Sequence, residues 1–306
     1  MMDKAYIETV RLLLECAPAI FETPHFAMKG GTAINLFIED MPRLSVDIDV
    51  VYTDHQASRD ESLKSISKGL DATRKRLTKA GLESEVSATK DGDEIKLFIR
   101  RGRNQVKVEV NHVFRGTVLP VETRQLGDEA RKLFTTELSA PILAAPELYG
   151  SKLVAAMDRQ HPRDLFDVRG LFERGGLTRE IVECFVCYLA GHNRPVHEVL
   201  FSRDQDMSSA FENEFVGMTR NPIKLAELEA VRRRLKRELP AALTESQREF
   251  LLGLVAGEPN WQLMKCPHLS QLPAIRWKLQ NLAKLKKSNP RKFSQQAEEL
   301  RARLAG

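Results

Sequence analysis

The sequence predicts an α+β fold with two domains. Segments in which apolar and polar residues alternate, as they do in strands, all lie before residue 114. After residue 146 the apolar residues recur at helical spacing, and no strand-like segment follows. Prolines divide this second part into helices, at Pro162, Pro222, Pro240 and Pro290. We therefore predict an α/β domain over residues 1–145 and a helical domain over residues 146–306.

Each predicted element of the front half follows from a local pattern. Residues 3–20 place apolar side chains at helical spacing, and residues 58–80 form a second helix that is rich in Lys and Arg. Four segments alternate as strands do: Ser45–Tyr52, Glu83–Ala88, Glu94–Arg100 and Gln105–Val113. The residues between the last two segments have the composition of a hairpin turn.

The rear half begins with predicted helices over Pro146–Asp158, Arg163–Glu173 and residues 178–191. Residues 205–306 form further helices. Between the two halves, residues 118–142 follow no regular pattern, so no element is predicted there.

The composition is that of an ordinary globular protein, with 42% apolar and 29% charged residues among 306. No run of about eighteen apolar residues occurs, which excludes a membrane-spanning helix. The N-terminal segment mixes charges into its apolar positions and lacks the cleavage site of a signal peptide. We therefore expect a cytoplasmic protein without a membrane partner.

The four cysteines are too few and too scattered for a disulfide framework. Cys184 and Cys187 have the spacing of a metal-binding pair, and with His192 and His197 they form a candidate zinc site. The alternative is that both thiols lie on an apolar helix and are buried in a core. We favour the buried thiols.

Charge is distributed unevenly along the chain. Residues 191–306 hold 20 basic and 13 acidic residues, a balance of +7, and subtracting this from the net charge of +5 leaves −2 for residues 1–190. Residues 276–292 alone carry seven basic residues and no acidic one, and residues 232–237 form a second basic run. Such an excess suits a polyanion such as RNA. Solvated helix faces are the alternative.

The strongest functional signal lies between Lys29 and Val51. Gly30 and Gly31 precede a short predicted helix that runs from Thr32 to about Ile38. Glycines allow backbone N–H groups to approach a ligand, and the helix N-terminus adds positive potential. These features are typical of a phosphate site, although a simple turn capped by Thr32 is the alternative.

Asp47 and Asp49 lie in the strand that follows the two glycines. Side chains at positions i and i+2 of a strand share a face, with Cα atoms about 6.6 Å apart. A pair of Mg²⁺ or Mn²⁺ ions about 3.5–4 Å apart fits that spacing. Ser45 shares the same face. An exposed strand face is the alternative, but the preceding Gly-Gly favours a metal site.

Glu109 is a candidate third carboxylate from a neighbouring strand. Its side chain would meet Asp47 and Asp49 if the two strands paired. However, Lys107 and Asn111 share its face, so a solvated strand face explains Glu109 equally well.

A second group of candidate residues lies between residues 152 and 167. Lys152 would neutralise the charge of a triphosphate as a point cation. Asp164 and Asp167 lie about one turn apart near the start of a predicted helix, with Arg163 beside them. The alternative is a cluster of ion pairs at the helix ends.

Together, KGGTAINLF, RLSVDIDVV, SKLVAAMDR and PRDLFDV resemble the AbiEii toxins, a nucleotidyltransferase-like family of bacterial type IV toxin–antitoxin and abortive-infection systems. The resemblance extends from about Phe26 through Phe172. It implies a DNA polymerase β-like nucleotidyltransferase core with a mixed sheet and a helical C-terminal domain. It also implies Mg²⁺-dependent transfer from a nucleoside triphosphate, and a cognate antitoxin.

The resemblance also implies roles for individual residues. Nucleotide or phosphate binding is predicted for Lys29, Gly30, Gly31, Thr32 and Ser45. Catalysis is predicted for Asp47, Asp49, Lys152, Asp167 and Asp164, with Asp167 preferred over Asp164. The metal ligands would be Asp47, Asp49 and, as an open assignment, Glu109.

Relatives in this family add nucleotides to the 3′ end of tRNA or bind GTP, so the expected acceptor is RNA, and most directly the tRNA 3′ end. Two alternatives stay open. A transferase that modifies a protein or a small molecule would use the same donor site. A non-catalytic GTP-binding module would release no pyrophosphate, but the intact Gly-Gly, Asp-x-Asp and Lys152 set argues against it.

Overall fold

The structure is a computed structural model that describes residues 2–88, 94–111 and 113–305. The chain divides into two compact units. The first comprises Met1–Leu148 with Phe215–Ile223, and the second comprises Tyr149–Glu214 with Lys224–Gly306. Nothing in the sequence indicated that residues 215–223 would join the first unit. None of the described helices combines the length and the hydropathy that a membrane span requires.

In the described residues of the first unit, seven strands form one mixed sheet. The strands are β1 (Phe26–Lys29), β2 (Asp47–Tyr52), β3 (Glu83–Ala88), β4 (Glu94–Arg101), β5 (Asn104–Asn111), β6 (Glu122–Gln125) and β7 (Ser139–Ile142). Their order in the sheet is β3-β4-β5-β2-β1-β7-β6. β2 runs antiparallel to β1 and parallel to β5, so it lies at the centre of the sheet. The predicted α+β fold with a mixed sheet is confirmed.

Local capping residues explain where two helices of the first unit begin. They are α1 (Lys4–Phe21), α2 (Gly30–Ala33) with a π-helical turn over Ile34–Ile38, α3 (Arg59–Lys79) and α4 (Asp128–Phe134). Asp3 caps α1 by accepting a hydrogen bond from the N–H of Ala5. Ser58 and Glu61 form a capping box at the start of α3.

In the first unit, four short elements were not predicted from the sequence: β1, β6, β7 and α4. β6 has the sequence ETRQ and exposes three of its four residues, whereas β1 buries three consecutive residues. Neither pattern alternates, because alternation requires one buried face and one solvated face. The predicted strand over Gln105–Val113 ends at Asn111, and His112 lies outside the described residues.

The second unit is helical throughout its described residues, apart from turns and loops. Its helices are α5 (Ala145–Asp158), within which the boundary falls, α6 (Pro162–Glu173), α7 (Arg179–Ala190), α8 (Val196–Leu200), α9 (Ser208–Glu214), α10 (Leu225–Ala242), α11 (Glu245–Val255), α12 (Pro273–Ser288) and α13 (Pro290–Ala305). Short 3₁₀ turns cover Trp261–Leu263 and Leu269–Gln271. α7 is the core of this unit, because every residue from Ile181 to Ala190 is buried.

Candidate active site

Gly30 brings the backbone against the carboxylate of Asp49. Lys29 and Asp49 are partners in the β1–β2 register, so α2 begins directly beside β2. Gly30 has a φ of 74°, and a Cβ atom on it would lie 2.0 Å from Asp49 Oδ2. Only glycine combines this conformation with this proximity. The Gly-Gly turn and the strand aspartate therefore lie side by side.

Gly31 leaves room for two polar side chains. A Cβ atom on Gly31 would lie 2.8 Å from Arg43 Nη2 and 3.1 Å from Ser45 Oγ. Arg43 is only 2% exposed, and its Nη1 donates to the carbonyl of Leu44 at 2.9 Å. Arg43 was not predicted from the sequence. The available signal was its position two residues before Ser45, where a strand was predicted, although in the structure that strand, β2, begins at Asp47.

Thr32 ties the start of α2 to the strand that carries the aspartates. Its side chain is buried, and its hydroxyl donates to the carbonyl of Asp47 and lies 2.9 Å from Ser45 Oγ. Asn35 Nδ2 donates to the carbonyl of Gly31 at 2.9 Å. These contacts hold the Gly-Gly backbone and the Asp47 strand in a fixed arrangement.

Asp47 and Asp49 occupy the half-buried face of β2, while Ile48 and Val50 are fully buried. In the parallel β2–β5 register, Asp47 is opposite Lys107 and Asp49 is opposite Glu109. Lys107 Nζ lies 3.8 Å from Asp47 Oδ1. The predicted pairing of these carboxylates on one strand face is therefore present, with a lysine beside them.

Glu109 shares this face but is held by two lysines. Its Oε1 lies 3.1 Å from Lys107 Nζ and 3.2 Å from Lys96 Nζ. Burial alone would raise the pKa of Glu109, but its hydrogen bonds and charge interactions with Lys107 and Lys96 lower it overall. Glu109 is thus ionised and paired with two lysines.

The carboxylates on this face would suit a divalent cation that also binds the phosphates of a substrate. No group of three His, Cys, Asp or Glu side chains able to hold a metal occurs in residues 2–88, 94–111 and 113–305. Mg²⁺ usually binds through one or two carboxylates together with substrate phosphates and water. Asp47 and Asp49 provide such a pair, and the Gly30 backbone lies beside them.

In the second unit, Lys152 joins the two aspartates that the sequence singled out. Lys152 Nζ lies 2.7 Å from Asp164 Oδ1 and 3.0 Å from Asp167 Oδ2, and all three side chains are buried. Arg159 Nε lies 2.6 Å from Asp164 Oδ2. Two cations therefore face two carboxylates, so the charges within this cluster balance.

Burial and neighbouring charges shift the pKa values of two groups in this cluster. Burial alone would raise the pKa of Asp164, but the adjacent charges of Lys152 and Arg159 hold it well below its usual range. Burial and the negative charge of Asp167 raise the pKa of Tyr149. Asp164 is therefore a permanent anion at neutral pH.

The candidate zinc residues are not brought together. Cys184 and Cys187 are buried on α7, as the favoured alternative predicted. Hydrogen bonding to Cys266 and burial raise the pKa of Cys187 well above its ordinary value. His192 instead lies 3.5 Å from Asp158, and His197 lies 3.0 Å from Glu299.

Comparisons with known proteins identify the family and support the fold. The family model of the nucleotidyl transferase AbiEii toxins of type IV toxin–antitoxin systems matches residues 11–281. Among solved structures, the nucleotidyltransferase toxin MenT4 from Mycobacterium tuberculosis H37Rv is similar, with a TM-score of 0.61 and 18% sequence identity over 90% of this chain and 93% of that chain. At this identity the similarity shows the fold. No curated protein matches the sequence. Since the family model covers most of the chain, the protein belongs to the AbiEii family of nucleotidyltransferase toxins.

Proposed function

We propose that this enzyme transfers a nucleoside monophosphate from a nucleoside triphosphate to an RNA acceptor, most directly the 3′ end of tRNA, with Mg²⁺ as the metal. The observation that carries the proposal is the contact between the Gly30 backbone and Asp49. It combines a phosphate-binding turn with a pair of carboxylates on one strand face. A nucleoside triphosphate with its metal is the ligand that requires both.

In this proposal each residue has a separate task. Asp47 and Asp49 would hold Mg²⁺, or Mn²⁺, which when bound neutralises charge on the attacking and leaving oxygens. The backbone of Gly30 and Gly31 and the hydroxyl of Ser45 orient the triphosphate. The 3′-hydroxyl oxygen of the acceptor attacks the α-phosphorus in line, and pyrophosphate leaves.

Two further cations accompany the donor residues. Lys29 adjoins Gly30 and is opposite Asp49 in the strand register. Arg43 lies beside Gly31 and Ser45. We assign Lys29 to neutralisation of phosphate charge, because an ammonium acts as a point charge, whereas the buried Arg43 packs beside the Gly-Gly turn.

The roles of Lys152, Asp164 and Asp167 in this reaction rest on the resemblance to the family. Because both carboxylates already contact Lys152, we propose that the aspartates position the lysine. Lys152→Arg keeps the charge but changes its geometry, so this variant should retain the fold and lose transfer activity.

The basic C-terminal half supports RNA as the acceptor. On α12, Trp277 is 50% exposed, and Lys284 Nζ lies 5.7 Å from the centre of its ring. An exposed aromatic ring among basic residues is suited to stack on an unpaired base while the cations contact phosphates. Recognition of tRNA would rest mainly on shape. The type IV family also implies a cognate antitoxin as a partner.

The test is transfer of each α-labelled nucleoside triphosphate into total RNA and total protein with Mg²⁺. The wild type should label a tRNA-sized band, and Asp49→Ala should abolish the label. A matched control is Asp71→Ala, since Asp71 is an exposed aspartate on α3 whose side chain is 57% exposed. This control should transfer at the wild-type rate.

Two other outcomes would identify a different function, and a third would refute the proposed site. Label in protein would replace the RNA acceptor with a protein side chain. Nucleotide binding without label in either pool would favour the GTP-binding module. Wild-type activity in Asp49→Ala would refute the assigned metal site.

A further inference from the structure

A polar cavity lies entirely within the helical unit, and none of its lining residues belongs to the predicted transfer site. Its volume is about 460 Å³, which is in the range of small-molecule sites. One wall is a single face of α13, because its lining residues recur at helical spacing: Lys292, Gln295, Gln296, Glu299 and Arg303. The other wall comes from residues 194–205.

The charges around this cavity do not balance. Arg194 pairs with Glu198 at 3.1 Å, and His197 pairs with Glu299 at 3.0 Å. Glu198 and Glu299 are the two carboxylates that line the cavity, and with His197 neutral they face four Arg or Lys side chains, an excess of two positive charges. Three of these cations are Arg203, Lys292 and Arg303, and in the part of the chain that the structure describes no carboxylate forms an ion pair with any of them.

The cavity also offers groups suited to the rest of a nucleotide. The guanidinium of Arg303 lies 5.7 Å from the centre of the Phe201 ring. The ring is partly exposed, so an aromatic base would have a surface on which to stack. Gln295 and Gln296 add amide donors and acceptors on the same helix face. Cations beside an aromatic ring and amides are the recognition elements for a phosphorylated nucleoside.

We propose that this cavity binds a phosphate-bearing ligand of nucleotide size, as a second site beyond the transfer reaction. Lys292, Arg303 and Arg203 contact the phosphate. Two sources share this chemistry: a free phosphorylated compound, and a phosphodiester of bound RNA. Binding here requires neither Asp49 nor a metal, so it is measured independently of transfer.

The test compares two pairs of substitutions on the same helix. Lys292→Ala/Arg303→Ala removes two cavity cations. Arg291→Ala/Arg301→Ala removes two exposed cations of α13 that do not line the cavity, so both variants lose the same charge. Calorimetric titrations use the full chain in EDTA, with inorganic pyrophosphate as one probe and an RNA hexamer lacking terminal phosphates as the other.

We expect the cavity pair to raise the dissociation constant about tenfold, since each cation donates charge-assisted hydrogen bonds to phosphate. The control pair should change it less than about twofold, as loosely placed surface charges do. A loss confined to pyrophosphate identifies the free compound, and a loss confined to the hexamer identifies the phosphodiester.

Equal effects of the two pairs would overturn the proposal, because they would mean that overall charge alone attracts the probes. An absence of binding to both probes would overturn it as well. Asp49→Ala separates this inference from the proposed function, since it should abolish nucleotide transfer while both probes bind the cavity as in the wild type.

Discussion

Gly30 and Asp49 approach so closely that no side chain fits between them. A Cβ atom at Gly30 would lie 2.0 Å from Asp49 Oδ2 and 2.8 Å from its Cγ. The clash involves the carboxylate that the proposed reaction places on the metal. A substitution at Gly30 therefore displaces the group on which transfer depends.

We expect Gly30→Ala to lower nucleotide transfer at least about 100-fold, since small displacements of a reacting group have effects of that size. Gly81→Ala is the matched control, because Gly81 has a φ of 76° and nothing lies within 4 Å of its Cβ position. Both variants should lose about 1 kcal/mol or more in the free energy of unfolding from backbone strain. Only Gly30→Ala should lose activity. Equal transfer rates in the two variants would show that Asp49 accommodates the added methyl group.

Thr32 gives a second test of the donor site. Thr32→Val keeps the shape of the side chain but removes the hydroxyl that donates to the carbonyl of Asp47. The carbonyl then loses a buried partner, so the free energy of unfolding should fall by about 1–3 kcal/mol. Thr32→Ser keeps the hydroxyl and should retain most of the transfer rate. Denaturant unfolding and the labelled-nucleotide assay measure the two effects, and loss of transfer in both variants would show that the methyl group matters instead.

Asp164 predicts a pH-dependent contribution to stability. Its pKa is lowered in the folded protein relative to an ordinary value of 3.8. The unfolded chain therefore binds the proton more strongly, so the contribution of Asp164 is present above pH 3.8 and is lost progressively as the pH falls from there toward the lower pKa of the folded protein. Asp164→Asn should destabilise the protein by about 1–3 kcal/mol at pH 7, because it removes the nearer of the two carboxylates that contact the buried Lys152 and leaves Asp167 as the other.

The measurement is the difference in the free energy of unfolding between Asp164→Asn and the wild type across pH 3–7. We expect the difference to shrink toward the acid end. The exposed Asp71→Asn should stay within about 0.5 kcal/mol of the wild type at every pH. A difference for Asp164→Asn that is constant with pH would mean that packing, and not charge, causes the loss.

The cysteines should be inert and should hold no metal. All four are buried, and burial raises the pKa of Cys16 to about 12. The raised pKa of Cys187 likewise keeps its thiol protonated. Alkylation in native buffer should therefore be slow at all four and complete after denaturation. Zinc at one equivalent per chain, lost on Cys187→Ser, would contradict this expectation.

The elements that could be predicted from the sequence are those that a local residue pattern specifies. β2 was predicted from alternation, because one of its faces is buried and Asp47 and Asp49 lie on the other. The hairpin between β4 and β5 was predicted from its turn residues, and Gly102 there has a φ of 58°. These features are local, so the sequence alone contains them.

The remaining features depend on pairing between distant segments. The position of Glu109 opposite Asp49 follows from the β2–β5 register, which no local pattern specifies. Arg43 is buried because it packs between Gly31 and the backbone of Leu44, and arginine is rarely buried without partners. The contacts of Lys152 with both Asp164 and Asp167 likewise depend on how α5 and α6 pack together.

The return of residues 215–223 to the first unit has a consequence for how the molecule can be divided. The N–H of Leu44 donates to the carbonyl of Met218, and the N–H of Arg220 donates to the carbonyl of Pro42. These two hydrogen bonds hold in place the segment that leads into Ser45 and Asp47. A fragment ending at Leu148 would lack these two hydrogen bonds, so no single cleavage of the chain releases the whole first unit. Conversely, a nick near residue 215 would leave two pieces that each hold part of the same unit, and they should copurify.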